Sequence, residues 1–258
     1  MSSGGSRSTN KRRNDIVNML DKADEVRISE LSERFGVSVV TIRKDLAFLE
    51  QQGLLRRTHG GAINVRPDTL DIFDRRLVKR AEKIRIAQAA ANLVNDGDSI
   101  IINAGSTCHY VANELKQKER LFVITNSLSV AESMLSCRSI TTFLLGGRLD
   151  HDLHTTTGDN VSRQLANYSA DKLFMGVDGI DPVAGATSYN HTEDYIMHQM
   201  ISSAKYPILV ADDSKIGKAS FVKIADLNDF YAIITNQTEE NAPILDEIEK
   251  MGIKVLRV

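Results

Sequence analysis

Near the start of the chain the apolar positions recur with helical spacing. From Lys11 onward, Ile16, Val17, Met19 and Leu20 fall on one face of a first helix. Val26 and Ile28 predict a short extended piece. A second helix is expected to begin near Ser29, a residue able to cap it, to turn Leu31 and Phe35 inward and to stop at Gly36. Val37 and Ser38 then make a turn. Ser38 can cap a third helix, in which Val39, Ile42, Leu46 and Leu49 recur at spacings of 3, 4 and 3 and so form the buried stripe. Gly53 ends that helix. The run Leu54 to Ala62, with Gly60 and Gly61 together, predicts a β-hairpin. Two helices around a tight turn followed by a hairpin make a winged helix-turn-helix, expected over residues 11–65.

The pattern changes farther on. Residues 1–10 are Ser/Gly-rich and read as a disordered tail, and residues 66–77 hold a proline and several charges without an apolar period, which suits a linker. A helix follows from Val78 to about Val94. Short continuous apolar runs then alternate with amphipathic stretches: Ser99–Asn103, Leu121–Thr125, Thr141–Leu145, Lys172–Val177, Ile208–Asp212, Tyr231–Thr235 and Lys254–Val258. Continuous runs suit strands buried on both faces, and the intervening helices supply the crossovers of a parallel sheet. The fold class is α/β, with the N-terminal winged helix-turn-helix followed over residues 78–258 by a Rossmann-like parallel α/β domain that lacks a GxGxxG fingerprint.

Composition refines this division. The net charge is −2, but residues 1–66 carry 12 Lys/Arg against 8 Asp/Glu and the remainder 20 against 26. A positive balance confined to the N-terminal segment is what a DNA-contacting module attached to an acidic body would show. Tryptophan is absent and aromatics make up 5%, which argues against base-stacking RNA platforms. Cys108 and Cys137 have no CxxC or Cys/His spacing and read as reduced thiols. No apolar run reaches transmembrane length, and the opening Met-Ser-Ser-Gly-Gly-Ser lacks the core of a secretory signal, so a soluble, cytoplasmic protein is expected. His151 and His154 lie three apart, with Asp150 before them and Asp152 between, but no further ligand is near; neither metal nor cofactor is predicted.

The buried stripe of the third helix leaves Val40, Thr41, Lys44, Ala47 and Phe48 outward, with Arg43 at the margin. Thr41, Arg43 and Lys44 near a helix N-terminus begun by Ser38 supply a hydroxyl, a bidentate donor and a point charge, which suits the major groove. Arg56, Arg57 and His59 on the hairpin suit phosphates or the minor groove. The plainer alternative makes Arg43 and Lys44 a solvated face and pairs Arg57 with a carboxylate.

In the second domain, small and hydroxylated residues gather where predicted strands end. Asn103, Gly105, Ser106 and Thr107 run from strand into helix, as do Thr125, Asn126 and Ser127; Gly146, Gly147 and Arg148 follow the next strand. Such loops expose backbone N–H groups at helix N-termini and can hold an anion. Taken singly each reads as a plain turn, whereas three in succession favour a ligand site. Asp178 and Gly179, then Glu193, then Asp212-Asp213-Ser214-Lys215 at the end of an apolar strand add groups that can bind a polyol phosphate or perform proton transfer.

The run Val37-Ser38-Val39-Val40-Thr41-Ile42-Arg43-Lys44-Asp45-Leu46-Ala47-Phe48-Leu49-Glu50, with the trailing Gly53-Leu54-Leu55-Arg56-Arg57-Thr58-His59-Gly60-Gly61-Ala62, closely resembles the N-terminal signature of the DeoR family of bacterial regulators. Residues 78–258 resemble that family's effector domain, which is similar in fold to ribose-5-phosphate isomerase. The resemblance implies a repressor of a carbohydrate-utilisation operon. Its double-stranded operator binding would respond to a phosphorylated sugar or sugar alcohol held by the three loops with Asp178, Glu193 and Lys215. It further implies homo-oligomers, dimers or tetramers, that address repeated half-sites. Three departures stand out: Asn103 occupies a position where the family commonly has aspartate, Ile196, Met197 and His198 stand where basic residues commonly follow the glutamate, and Asp150-His151-Asp152-Leu153-His154 after the Gly-Gly loop is unusual. The competing class is an isomerase-like enzyme with an appended DNA-binding module. An isomerase has no need of a helix-turn-helix, so a regulator without catalytic residues is expected.

Overall fold

The computed structural model describes residues 12, 13, 15–17, 19, 20, 23, 25–51, 55–64, 72–189 and 194–258, and the tail expected at 1–10 lies outside them. The chain divides into two compact units, Met1–Val78 and Lys79–Val258.

In the N-terminal unit, residues 12, 13, 15–17, 19 and 20 are helical (α1). They are followed by β1 (Glu25–Arg27), α2 (Ile28–Phe35), α3 (Val39–Gln51), β2 (Leu55–Arg57), β3 (Gly61–Asn64) and α4 (Ile72–Leu77). The hairpin β2–β3 is extended by β1 into an antiparallel sheet of order β1-β3-β2. The N-cap of helix α2 lies two residues earlier than expected. It is Arg27 in extended conformation, with no side-chain cap, so Ser29 lies inside the helix and does not cap it. Gly36 ends α2 with φ 61, a left-handed conformation that costs glycine nothing and lets the backbone turn at once toward α3.

Ile16, Leu20, Val26, Leu31, Ile42, Leu46, Leu49, Leu55 and Ala62 form the core of this unit. The stripe on α3 therefore holds at 42, 46 and 49. Val39 departs from it with 40% exposure, because it occupies the open first turn, and Asp45, 2% exposed, takes a place on the buried face instead. The second half of the stretch read as linker is α4, whose six residues are too few to show an apolar period.

The C-terminal unit opens with α5 (Arg80–Asn92) and continues through β4 (Ser99–Ile102), α6 (Ser106–Leu115), β5 (Phe122–Thr125), α7 (Leu128–Met134), β6 (Thr141–Leu144), β7 (Arg148–Asp150), β8 (Thr155–Thr157), α8 (Asp159–Leu165), β9 (Ala170–Met175), β10 (Gly179–Asp181), β11 (Gly185–Ser188), α9 (Asp194–Ser202), β12 (Ala204–Val210), β13 (Val222–Ala225), β14 (Ala232–Thr235), α10 (Ala242–Lys250) and β15 (Lys254–Arg257). The seven apolar runs form one parallel sheet of order β15-β14-β12-β9-β4-β5-β6. Side chains alternate between two cores. Ile100, Ile102, Val123, Phe174, Ile208 and Ile234 pack with α5, α6 and α7, whereas Ile101, Ile124, Leu173, Met175, Leu209 and Ile233 pack with α8, α9 and α10. The edge strand β6 is mostly exposed, so the expectation of burial on both faces fails there for want of a neighbour on its outer side.

Among the described residues of this unit five short strands escape the apolar pattern. β7 and β8 form a hairpin, and β10, β11 and β13 a small antiparallel sheet. Thr155–Thr157 and Gly185–Ser188 are buried yet polar or small, so no apolar run marks them. Asp150 turns the β7–β8 hairpin by accepting from the Asp152 and Leu153 N–H groups at 3.0 Å, which places His151 and His154 around a tight turn. Among the described residues no group of three or more His, Cys, Asp or Glu could hold a metal ion, and no helix is long and apolar enough to cross a membrane.

Candidate functional site

In the N-terminal unit the first turns of α3 stand open. Ser38 Oγ accepts the Thr41 N–H at 3.2 Å and lies 3.0 Å from Thr41 Oγ1, so the two hydroxyls are engaged in capping the helix. Val40 is 61% exposed; Arg43 and Lys44 are exposed, and Ala47 is half-buried. Arg43, expected at the margin of the buried stripe, is exposed. Phe48 is exposed, and the Arg13 guanidinium carbon lies 3.8 Å from its ring centroid.

Asp45 explains how α3 is held. Its carboxylate accepts from Arg12 Nε at 2.7 Å and from Arg13 Nε at 2.8 Å, a pincer from α1 that sequence reasoning missed. The available signal was a charge at a position that helical spacing assigns to the core.

On the hairpin, Leu55 is buried while Arg56, Arg57 and His59 are exposed. Arg57 is paired with Glu50 of α3: its backbone N–H donates to Oε1 at 2.9 Å and its Nε to Oε2 at 2.6 Å. Burial pushes the Glu50 carboxyl up, but these two bonds together hold it below the usual glutamate range.

In the C-terminal unit the sheet order reverses between β4 and β9, with β5 and β6 outward on one side and β12, β14 and β15 on the other. Such a switch point opens a crevice at the carboxyl ends of the two strands. Asn103 bridges it. Its Oδ1 accepts the Gly176 N–H at 2.9 Å and its Nδ2 donates to the Gly176 carbonyl at 3.2 Å, a pairing that needs an amide. The Cys108 thiol donates to the same Oδ1 at 3.0 Å, and burial pushes that thiol up to about 12. Gly105 is the N-cap of α6, followed by half-buried Ser106 and buried Thr107.

The second loop is interior. Thr125 Oγ1 donates to the Ile102 carbonyl at 2.7 Å and accepts the Ser127 N–H at 3.0 Å, while Ser127 caps α7. Asn126 Nδ2 donates to the Thr156 carbonyl at 3.0 Å, and Asn126 Oδ1 is buried without a hydrogen-bond partner. These bonds anchor the β7–β8 hairpin. In the third loop, Gln164, absent from the sequence reading, accepts from the Gly146 N–H at 3.1 Å and donates to its carbonyl at 2.7 Å, while Arg148 is exposed. A Cβ on Gly147 would lie 2.4 Å from the Thr157 carbonyl oxygen, and one on Gly179 2.4 Å from that of Lys218. Close backbone approach alone accounts for both glycines.

Asp178 accepts from Ser188 Oγ at 3.1 Å and the Tyr189 N–H at 3.2 Å, and Lys215 Nζ stands 3.7 Å from its Oδ1. The structure thus brings together Asn103 with the Gly176 loop, and Asp178 with Lys215. Beside them lie Lys79 with Asp213 at 2.5 Å and Lys83 with Asp212 at 3.8 Å; the aspartates were marked by their place at a strand end, but their lysine partners were not. Glu193 lies outside the described residues.

Residues 12–67 match the DeoR-like helix-turn-helix domain and residues 78–237 the DeoR C-terminal sensor domain. A relative from Escherichia coli O157:H7, named as a putative aga operon transcriptional repressor, is 33% identical over 97% of this chain and 94% of its own length. The HTH-type transcriptional repressor GlcR of Bacillus subtilis is 32% identical over 93% of each chain. The glycerol-3-phosphate regulon repressor of Haemophilus influenzae is 30% identical over 87% of this chain and 88% of its own. Among solved structures, ribose 5-phosphate isomerase A from Methanocaldococcus jannaschii is 20% identical and covers 52% of this chain and 53% of that one, with a TM-score of 0.39.

Proposed function

The chain belongs to the DeoR family of transcriptional regulators, and on that premise we propose that it represses a carbohydrate-utilisation operon and responds to a phosphorylated sugar or sugar alcohol. It is a DNA-binding regulator and not an enzyme, as are the relatives that span nearly its whole length. One observation carries the reading: a helix whose open face presents Val40, Arg43 and Lys44 shares a chain with a sensor domain.

Val40, Thr41, Arg43 and Lys44 read base edges in the major groove, Ser38 orders the helix start, and Arg56, Arg57 and His59 meet phosphates. For Arg57 this requires exchange of Glu50 for a phosphate, a modest cost for an exposed pair. Paired subunits would present two such helices to repeated half-sites.

The effector lies at the carboxyl ends of β4 and β9. The start of α6 at Gly105, Ser106 and Thr107 offers N–H groups to the phosphate, Lys215 offers a positive charge, and Asp178 accepts from hydroxyls. Asn126, Gly146, Gly147 and Gly179 shape the walls, Thr125 and Ser127 fix the loop that carries Asn126, Arg148 stands at the rim, and Glu193 adds a carboxylate for hydroxyls. The same groups would serve an isomerase, but hydrogen-bonding an open-chain polyol phosphate needs them equally.

A mobility-shift titration of operator DNA against phosphorylated hexoses, hexitols, pentoses and amino sugars tests this. Release of the operator by one class identifies the effector, and unchanged binding at saturation by all of them overturns the sensing role. Thermal shifts with the same panel report binding directly.

A further inference from the structure

We propose, resting on the sensing role above, that the segment Asp212–Lys215 is a relay that couples the effector crevice to the first turn of α5, where the sensor unit begins. The segment follows β12 and folds into a single 3-10 turn over Asp213–Lys215, capped by the Asp212 carboxylate, which accepts the Ser214 N–H at 3.0 Å and the Ser214 hydroxyl. At one end Lys215 faces Asp178, with side chains 16% and 18% exposed, open enough for a ligand to compete. At the other, Asp213 holds Lys79 at 2.5 Å and Asp212 holds Lys83 at 3.8 Å, the latter pair enclosed at 5% and 4%. Asn236 fixes Asp213 from a third side, accepting its N–H at 2.9 Å and donating to its carboxylate at 2.7 Å.

Lys79 and Lys83 are one helical turn apart, the Lys83 N–H donating to the Lys79 carbonyl at 3.0 Å. Lys79 is the first residue of the sensor unit, directly after Val78 in the chain, and it is left-handed, with φ 49 and ψ 41. A residue with a Cβ holds that conformation at a cost, so its side-chain anchor on Asp213 bears on the backbone at the junction. A phosphate that draws Lys215 from Asp178 acts on a turn only three residues long, and the displacement passes directly to Asp213 and Asp212. Ligand occupancy then alters how firmly Lys79 is held. By linkage, a change imposed at the junction when DNA binds alters the crevice in return.

Two measurements on the full chain test the relay. Hydrogen exchange at the first turn of α5 is compared between wild type and Lys215→Gln, which removes the charge facing Asp178 without any ligand. The relay predicts exchange about tenfold faster there, and wild-type protection would overturn it. Lys79→Met and, as a second variant, Asp213→Asn are then titrated with operator in the presence and absence of glycerol 3-phosphate, ribose 5-phosphate and glucose 6-phosphate. Operator affinity and thermal shift should stay near wild type. The ratio of operator affinities without and with the effector, about 5–150-fold in switches of this kind, should fall toward about 1. An undiminished ratio in either folded variant overturns the relay. Absence of any thermal shift in the wild type instead rejects sensing of these phosphates, and the exchange comparison alone then decides the relay.

Discussion

Arg12 Nε donates to Asp45 Oδ2 at 2.7 Å on the buried face of α3, and Arg13 closes on the other carboxylate oxygen. Asp45 is 2% exposed among Ile42, Leu46 and Leu49, so it is tolerated there only because both oxygens are occupied. Asp45→Ala leaves two guanidinium groups without an acceptor. The loss is expected at about 2–3 kcal/mol, below the usual cost of splitting a fully buried pair because the arginines reach solvent in part. Urea unfolding of the full chain, followed in its N-terminal unit, measures this. A loss under about 0.5 kcal/mol would class the pincer with ordinary surface pairs.

Arg43 and Lys44 are both exposed on α3, and their chemistry separates their expected roles. Arg43→Ala should relax discrimination at a single base pair by about 1–3 kcal/mol, as a bidentate donor to guanine would. Lys44→Ala should weaken binding evenly across sequences and reduce the magnitude of the salt slope by about 1. Fluorescence anisotropy against operator variants at several salt concentrations distinguishes the two. An Arg43→Ala variant that loses affinity for every sequence equally would remove Arg43 from the base-reading set.

The Cys108 thiol is pushed up to about 12 by complete burial, which makes it a reporter of pH-dependent stability. Its raised value means the folded chain keeps a proton that the unfolded chain releases from about pH 9 upward. The contribution is thus complete below that pH and is lost as pH rises toward about 12, at up to ~1.4 kcal/mol per pH unit. Subtracting the alkaline stability profile of Cys108→Ala from that of wild type isolates this slope from the tyrosines and lysines. Half-buried Cys137 should meanwhile react with thiol reagents in the native protein, and Cys108 only on unfolding.

Where the sequence was legible, one physical signal dominated each region. The central parallel strands announced themselves because a strand covered by helices on both faces must be apolar at consecutive positions, as Ile100, Ile101 and Ile102 are. β8 gave no such signal, since Thr155, Thr156 and Thr157 are buried through hydroxyl bonds such as Thr156 Oγ1 to the Leu145 carbonyl at 2.6 Å. At the candidate site, strand-end position alone put the three loops at the carboxyl ends of β4, β5 and β6. It could not separate residues facing a crevice from those, like Thr125 and Ser127, that are consumed in bonding one loop to another. The Asp45 pincer and the Lys79 and Lys83 pairs join residues about 30 to 130 positions apart, a separation at which helical and strand periodicity carry no information.

Asn103 offers the sharpest test of how the crevice is built. Asn103→Asp conserves shape but cannot donate to the Gly176 carbonyl, and it places a carboxylate, 6% exposed at this position, against that carbonyl oxygen. Loss of the bond with an acceptor left facing an acceptor is expected to cost about 1–3 kcal/mol. The added negative charge should also repel a phosphate bound at the start of α6, weakening the effector by a further factor that shrinks as salt is raised. Asn103→Ala separates the two effects, since it loses the bridge without adding charge. If both substitutions weaken the effector equally at low salt, bridging accounts for the role of Asn103. If only the aspartate does so, the neutral amide is what admits an anion at the junction of β4 and β9.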